Sequence, residues 1–379
     1  MPPSSGHSKA RRQKTGSSPS AGAVRNQKIP IASQLVTQDS AHVVALHVLP
    51  IELQQTILNV FTQISLSISQ DQNELKRLIQ LVKGHLYARD FLAAFSQQSY
   101  LQAYAVRWSA ARALGYANVL THPSRSYIWR QQDQQRQHDP VTPHDTSTCR
   151  IACIGGGAGA ELVALAAAYR HNPTHRSFTV TAIDIADWSD VVTSLTTALS
   201  QLSPAARPKS QPLLTATDKV SFTVNFVHQD ILSLSAAAVR STFATTHLVT
   251  LFFTLNELFS TSIPRTTAFL LALTAALPST VHLLVLDSPG SYSEIALDSS
   301  SSSSSNNTAN KKEDGSKQYP MKWLLDHTLL TIAGHGPEAK WIKLEAQDSV
   351  WFRLDRDKPL DYPVELENMR YQIHVYRRL

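Results

Sequence analysis

The chain has 379 residues, of which 42% are hydrophobic and 17% are charged. This composition is typical of a globular protein with a sizeable core, and it excludes fully disordered, collagen-like and coiled-coil classes. The formal net charge is +6, and the six basic residues within residues 1–30, which contain no acidic residue, account for all of it. A basic stretch of this kind is typical of proteins that bind nucleic acid or a nuclear-import receptor.

Cysteine usage and hydropathy indicate the compartment. The only cysteines are Cys149 and Cys153. If both lie on one strand they are about 13 Å apart, which is too far for a disulfide. We therefore expect a reducing compartment, no disulfide and no metal site. We find no secretory signal, and the most apolar run, Ala268–Leu277, is far shorter than the ~20 residues of a membrane span. We expect a soluble intracellular protein without membrane contact.

The N-terminal part of the chain changes character twice. Residues 1–40 are rich in Ser, Gly, Pro, Gln and basic residues, which predicts disorder. From Leu49 to Leu120 apolar residues recur at helical spacing, and Asp71 with Glu74 resembles a capping box. Residues 41–148 are therefore predicted to form an all-helical unit of three or four helices followed by a linker over residues 121–148.

Residues 149–379 read as alternating strands and helices. The predicted strands are Ile151–Ile154, Phe178–Ile183, Ser221–Val227, His247–Leu255 and Val281–Leu286. Helix-length segments between them predict a doubly wound α/β fold with a parallel sheet. Residues 297–318 contain a serine run and are predicted to be a disordered insertion. The last two predicted strands, Val350–Leu354 and Met369–Arg377, have no clear helix between them, which suggests an antiparallel pair.

A glycine-rich turn follows the first of these strands. Gly155, Gly157 and Gly159 precede the predicted helix Glu161–Tyr169. Such a turn lets the backbone approach a ligand and directs amide groups and the helix dipole toward it. The spacing fits an S-adenosylmethionine loop, and with Ala160 as the last position it fits a dinucleotide fingerprint equally well. The loop alone does not decide between these cofactors, and a tight turn without a ligand is the simplest alternative.

Acidic residues follow the next two strands. Asp184 at the end of the second strand is placed to accept both ribose hydroxyls of a nucleoside cofactor. Asp230 at the end of the third strand is placed to meet an adenine amino group. The alternative for each is a helix cap.

Further polar residues lie where ligands bind in such a sheet, after the fourth and fifth strands. Asn256 and Glu257 follow the fourth strand, and Asp287 and Tyr292 follow the fifth. Capping and turn formation are the alternative here too. Within the helical unit, Arg107 and Trp108 belong to a set of guanidinium and aromatic side chains that suits phosphate contact and base stacking. The other members are Arg112, Tyr116, Arg125, Tyr127, Trp129 and Arg130. The competing interpretation is a core tryptophan beside a solvated arginine.

Two features favour S-adenosylmethionine over a nicotinamide. An antiparallel last strand matches the methyltransferase variant of the doubly wound sheet, and the chain has no Tyr-x-x-x-Lys arrangement. Four segments also resemble the fungal 25S rRNA uridine N-3 methyltransferase family over roughly residues 45–379. These are residues 152–161 around the glycine loop, Thr254–Leu258, Asp287–Tyr292 and Glu367–Tyr371, together with the Arg107–Trp108 helix and Trp129.

The resemblance implies a seven-stranded Rossmann-like sheet and a nucleolar enzyme that methylates a uridine of large-subunit rRNA with S-adenosylmethionine. Pre-ribosomal particles are a further expected partner, and the cytoplasm is the alternative location. Such loops usually carry an acid two residues before the first glycine, where this chain has Cys153. The methionyl ammonium group therefore needs another partner, for which Glu161 and backbone carbonyls are the candidates. Asp287 and Glu257 are the leading candidates for the general base, with Asn256 as a donor and Tyr292 as a stacking face for the base. The rival functions are an NAD-dependent oxidoreductase and a non-catalytic S-adenosylmethionine-binding factor in ribosome assembly.

Overall fold

A computed structural model describes residues 49–68, 72–129, 148–171, 177–202, 211–215, 217–290, 294–296 and 318–379. The predictions for residues 1–40, for the capping residue Asp71, for linker residues 130–147 and for insertion residues 297–317 lie outside the described residues.

Helices occupy the described part of the chain before the first strand, as the apolar spacing predicts. They are α1 (Ile51–Ile68), α2 (Gln72–Tyr87), α3 (Phe91–Ala94), α4 (Gln98–Tyr104) and α5 (Ala110–Leu120). The stretch Ala105–Ser109 between α4 and α5 is π-helical, a form that is frequent at functional sites. In α2 the residues at helical spacing, Leu75, Leu78, Ile79 and Val82, are buried, which confirms the predicted apolar face.

A seven-stranded sheet forms the centre of the molecule, with the strand order β3-β2-β1-β4-β5-β9-β8. The strands are β1 (Thr148–Ile154), β2 (Ser177–Asp184), β3 (Phe222–His228), β4 (Leu248–Phe252), β5 (His282–Asp287), β8 (Trp341–Phe352) and β9 (Met369–Arg378), and β6 (Glu294–Ala296) pairs with β7 (Gln318–Pro320) separately. Strands β1 to β5 are parallel, whereas β9 is antiparallel to both β5 and β8. The predicted doubly wound sheet with an antiparallel last strand is confirmed.

The helices that accompany the strands are α6 (Ala160–His171), α7 (Ser189–Ala198), α8 (Asp218–Ser221), α9 (Ala236–Phe243), α10 (Leu255–Thr261), α11 (Ile263–Ala276) and α12 (Met321–Asp326). None of the helices in the described ranges is both long and apolar enough to cross a membrane.

The two faces of the sheet bury separate hydrophobic clusters, because successive side chains of a strand point to opposite sides. Leu284 and Leu286 belong to the cluster that includes buried residues of α1, α2, α4, α5 and α6. Leu283 and Val285 belong to the other cluster, with residues of α9, α11 and α12. The N-terminal helices therefore share one core with the sheet. Cys149 and Cys153 both lie on β1 as buried free thiols.

Two predicted strand boundaries are wrong. The apolar run His247–Leu255 predicts one strand, but β4 ends at Phe252 and α10 begins at Leu255. The chain turns at Phe253, which has a φ of +56°, and the amide of Asn256 donates to the Asp287 carboxylate at 2.9 Å. The sequence predicts a last strand pair starting at Val350, whereas β8 begins at Trp341. Its central residues are exposed and polar, so hydropathy does not mark them as a strand.

Candidate active site

The glycine loop lies between β1 and α6, at the carboxyl edge of the sheet. Gly155 and Gly159 have φ values of +74° and +81°, a region that side chains disfavour. A Cβ at Gly155 would lie 2.2 Å from Thr254 Oγ1, and one at Gly157 would lie 2.2 Å from Trp188 Cδ1. Glycine is therefore required at both positions because the backbone passes so close to its neighbours.

Asp184 ends β2 directly beside this loop. Its carboxylate accepts hydrogen bonds from the amides of Gly157 at 3.0 Å and Ala186 at 3.1 Å. Burial raises the pKa of Asp184, and these amide donors oppose that effect. Each carboxylate oxygen has a second lone pair, so the side chain can still accept hydroxyl donors from a ligand in the adjoining cavity.

Glu161 in the first turn of α6 is a buried acid, with 3% of its surface exposed. Thr250 Oγ1 donates to its Oε1 at 2.5 Å. A Cβ at Gly156 would lie 2.7 Å from both Glu161 Oε2 and Cys153 Cβ, so the carboxylate lies against the loop backbone beside the cysteine. Burial raises the pKa of Glu161 to about 8, although the Thr250 hydrogen bond acts in the opposite direction. Burial also raises the pKa of the Cys153 thiol well above its usual value. Glu161 is therefore the group beside Gly156 that can become an anion.

Asp287, at the end of β5, is 2% exposed. It accepts hydrogen bonds from the amides of Asn256 at 2.9 Å and Ser288 at 2.8 Å. Burial raises the pKa of Asp287 to about 6, against the amide donors and the Arg112 guanidinium, which lower it. Asn256 is buried in the first turn of α10. Burial also raises the pKa of the neighbouring Glu257, which Arg89 opposes.

Aromatic residues of the helices lie near these acids and line the same cavity. The Tyr104 ring lies 5.1 Å from the ring of Trp108. Arg112 Nη1 donates to Tyr104 Oη at 2.6 Å. The Arg112 guanidinium carbon lies 4.9 Å from the ring centroid of Phe253. The positive φ of Phe253 thus places its ring where it stacks on a guanidinium that faces the same cavity as Asp287.

One cavity of about 1100 Å³ joins these features. Its lining includes most of the residues that sequence reasoning selected: Gly155, Gly159, Glu161, Asp184, Asp230, Asn256, Glu257, Asp287 and Trp108. Ligand sites of small molecules usually measure about 300–1,000 Å³, so this cavity has room for a nucleoside cofactor together with a second planar group.

Two of the selected residues are placed differently, and a third is not described by the structure. Gly157 is packed against Trp188, and its backbone amide donates a hydrogen bond to Asp184. Arg107 is outside the cavity lining, and its guanidinium forms an ion pair with Glu367. Tyr292 lies outside the described residues. Asp230 lines the cavity and also performs the alternative role of a cap, since it accepts from the amide of Leu232 at 2.9 Å.

The residues present fit S-adenosylmethionine. The glycines of the loop carry no side chain, so a ligand can approach the loop backbone closely. The acids Asp184, Asp230 and Glu161 line the same cavity. A nucleoside with a charged amino-acid tail requires acceptors for hydroxyl, amino and ammonium groups, which carboxylates supply. In the part of the chain that the structure describes, no group of three or more His, Cys, Asp or Glu side chains could hold a metal ion.

The sequence indicates Arg112 only as one of several arginines of the helical unit that suit RNA contact, and it does not indicate Phe253 as a cavity residue. Arg112 lies five positions after Arg107 in the same helical stretch, and no local pattern distinguishes which arginine faces inward. For Phe253, the signal in the sequence is the apolar strand that is followed by the polar residues Asn256 and Glu257. This change indicates that the chain turns at the carboxyl edge of the sheet, close to Phe253.

Comparisons with known proteins agree with this geometry. A family model described as "Putative SAM-dependent methyltransferase" matches residues 61–377. A 25S rRNA (uridine(2843)-N(3))-methyltransferase of Saccharomyces cerevisiae is 33% identical over 326 residues, which cover 81% of this chain and 79% of that enzyme.

Similar solved structures include a SAM-dependent methyltransferase from Methanosarcina mazei, which is 14% identical and covers 62% of this chain and 93% of that chain with a TM-score of 0.33. An O-methyltransferase family protein from Burkholderia thailandensis is 12% identical and covers 76% of this chain and 62% of that chain with a TM-score of 0.39.

Proposed function

The chain belongs to the family of SAM-dependent methyltransferases whose model it matches over residues 61–377, and we propose that it methylates N3 of a uridine in large-subunit rRNA. The observation that carries this proposal is the buried Asp287, whose pKa of about 6 suits a general base, in the same cavity as the glycine loop. The 33% identity to the yeast uridine N3-methyltransferase supports the choice of substrate.

The glycine-loop end of the cavity would hold the cofactor. Asp184 would accept the ribose hydroxyls, Asp230 would accept the adenine amino group, and Glu161 would be the counter-ion of the methionyl ammonium group. Glu161 takes this role because the position two residues before Gly155 is Cys153, a buried thiol that stays neutral. When bound, S-adenosylmethionine supplies a methyl carbon that accepts a nitrogen lone pair as its bond to sulfur breaks.

Asp287 supplies the base that uracil requires. The N3 position of uracil bears a proton, so its lone pair becomes available only when that proton leaves. With a pKa of about 6, the carboxylate is ionised near neutral pH and still basic enough to take the proton. The proton passes from N3 to an Asp287 oxygen, which leaves the N3 lone pair available for methylation.

Arg112 stabilises the charge that this proton transfer creates. Loss of the N3 proton leaves a negative charge that spreads onto the two flanking carbonyl oxygens of the ring. Arg112 is held by Tyr104 and by the face of Phe253 and lines the same cavity as Asp287. Its guanidinium donates to one of these oxygens, which is the electrostatic stabilisation expected for a developing anion.

The decisive experiment measures methyl transfer from radiolabelled S-adenosylmethionine to large-subunit rRNA, followed by identification of the modified nucleoside. The Asp287→Asn variant should lose turnover by about a hundredfold or more, with the affinity for S-adenosylhomocysteine nearly unchanged. Glu257→Gln is the matched control, because Glu257 lines the same cavity and is less buried.

If Glu257→Gln loses turnover and Asp287→Asn does not, the base is Glu257. A parent enzyme that binds S-adenosylhomocysteine but transfers no methyl group to rRNA refutes the proposed function.

We further propose that the protein acts on pre-ribosomal particles in the nucleus and nucleolus. The six basic residues within residues 1–30, without an acidic residue, support contact with rRNA or an import receptor. Fluorescence microscopy of the full chain beside a chain lacking residues 1–30 tests the location, and sedimentation with ribosome precursors tests the partner.

A further inference from the structure

An exposed tryptophan lies near the end of β8, the edge strand of the sheet. Trp351 is 46% exposed. The guanidinium carbons of Arg353 and Arg370 lie 4.6 Å and 5.7 Å from the centroid of its ring. Arg370 Nε also donates to Ser349 Oγ at 3.0 Å, which holds this guanidinium beside the indole. Trp351, Arg353 and Arg370 are called the Trp351 surface below.

Neither arginine of this surface is neutralised by an ion pair within the described ranges. Both arginines are exposed. Nearby acids have other partners, since Asp348 pairs with Lys322 and Asp355 pairs with Lys358. Two positive groups thus flank one exposed aromatic ring.

The strand register places the Trp351 surface at the edge of the sheet where the cavity lies. Asp287 pairs with Gln372 across β5 and β9, and Arg370 pairs with Trp351 across β9 and β8. Arg370 precedes Gln372 by two positions, so both side chains lie on the same face. Since β9 is antiparallel to β5, Arg370 and Trp351 lie beyond the carboxyl end of β5. Two strand spacings and two residue steps put the Trp351 backbone about 12 Å from Asp287.

We propose that the Trp351 surface docks the unpaired RNA strand that flanks the target uridine, an inference that rests on the proposed function. A substrate whose base enters the cavity must continue across its rim, and about 12 Å corresponds to a few nucleotides of an extended strand. Guanidinium groups bind phosphate, and indole and guanidinium planes stack on bases. The surface thus provides the interactions that single-stranded RNA requires outside the pocket.

An alternative occupant is another protein strand, because β8 is an edge strand and edge strands can pair with another chain. The side chains at the Trp351 end favour RNA, since backbone pairing requires no arginine and the exposed indole lies between two positive groups. Ile342, at the opposite end of β8, is 42% exposed, and its side chain has neither a charge nor an aromatic ring with which to bind RNA. It therefore provides a matched control on the same strand.

The test measures binding of a fluorescently labelled oligouridylate and of an rRNA fragment to the full chain. Trp351→Ala should weaken binding by about fivefold or more, as loss of one stacked base predicts, and Trp351→Phe should restore part of it. In the Arg353→Gln/Arg370→Gln variant, the slope of log affinity against log salt should fall by about 0.7 for each phosphate that the variant no longer binds. The KM for rRNA should rise with kcat nearly unchanged.

The controls are Ile342→Ala and Arg240→Ala, the latter removing an exposed arginine of α9. Both should bind RNA as the parent does, and all variants should keep the parent affinity for S-adenosylhomocysteine. The proposal is overturned if the Trp351 and arginine variants bind both RNAs like the parent, or if Ile342→Ala weakens binding equally. A change of oligomeric state in place of RNA affinity also overturns it, in favour of the protein partner. Oligouridylate binding requires no methyl transfer, so this result is independent of whether the proposed function holds.

Discussion

Replacing Glu161 by glutamine should stabilise the protein while weakening its affinity for the cofactor. Glutamine keeps an oxygen that can accept the hydrogen bond from Thr250, which Glu161 Oε1 accepts at 2.5 Å. It does not titrate, so it removes the cost of keeping Glu161 protonated in the folded protein near neutral pH. The same change removes the proposed counter-ion of the methionyl ammonium group.

The magnitude follows from the raised pKa. Burial raises the pKa of Glu161 to about 8 in the folded protein, whereas an unfolded glutamate titrates near 4.3. The folded state therefore holds a proton that the unfolded chain releases, and the free energy of unfolding falls as pH rises between these two values. The loss is about 3.5 kcal/mol near pH 7 and about 1 kcal/mol near pH 5. Glu161→Gln should recover those amounts, while removal of the charge-assisted hydrogen bond should weaken cofactor binding by about tenfold or more.

Thermal and denaturant unfolding without ligand, at both pH values, measures the first effect, and calorimetry with S-adenosylmethionine measures the second. In the parent, binding should also release a proton, because the ammonium group favours the ionised Glu161; this appears as a dependence of the binding heat on the buffer. A variant that unfolds more easily than the parent near neutral pH would refute the reasoning, and so would unchanged cofactor affinity.

Further predictions concern catalysis, pH and the basic stretch. Since Asp287 must be ionised to accept the proton and its pKa is about 6, kcat should fall about tenfold per pH unit below that value, and a flat profile contradicts the assignment. Arg112→Lys keeps the charge but removes the planar donor pair, so kcat should fall while affinity for S-adenosylhomocysteine stays, as single-turnover assays would show. Burial lowers the pKa of both His282 and His374 to about 4, so the folded protein holds them neutral. The unfolded chain protonates them below about pH 6.5, so the free energy of unfolding should fall as pH falls toward 4, by up to about 3 kcal/mol for each histidine. In denaturant unfolding, the free energy of unfolding of His374→Gln should depend less steeply on pH than that of the parent. Deleting residues 1–30 should weaken rRNA binding in low salt and leave kcat at saturating rRNA intact, because the interactions of this stretch are electrostatic; an equal reduction of turnover at saturation contradicts this.

The order of elements is accessible from the sequence because it depends on local patterns. The spacing of Leu75, Leu78, Ile79 and Val82 predicts the buried face of α2, and strand-turn-helix punctuation locates the glycine loop. The absence of a clear helix before Met369 indicates an antiparallel last pair. These features follow from the periods of helices and strands and from the special backbone conformations of glycine.

The boundaries that failed depend on contacts between distant residues. A continuous apolar run does not distinguish a buried strand from a strand followed by a helix. β4 ends early because the backbone amide of Asn256, in the first turn of α10, donates a hydrogen bond to Asp287, which lies 31 positions later in the chain. β8 extends back to Trp341 through polar residues because it pairs with β9, and pairing supplies hydrogen bonds without requiring burial.

The sequence by itself determines which residue types follow the strands. From this alone, Asp184, Asp230 and Asp287 are expected to meet at one edge of the sheet. Their environments, in contrast, arise only in the folded molecule. Glu161 has a pKa near 8, and Asp287 one near 6, because helices and strands remote in sequence exclude water around them. Arg112, and not Arg107, faces the cavity because of how α4 and α5 pack against the sheet. Burial and electrostatic neighbours are properties of packed surfaces, which local periodicity does not specify.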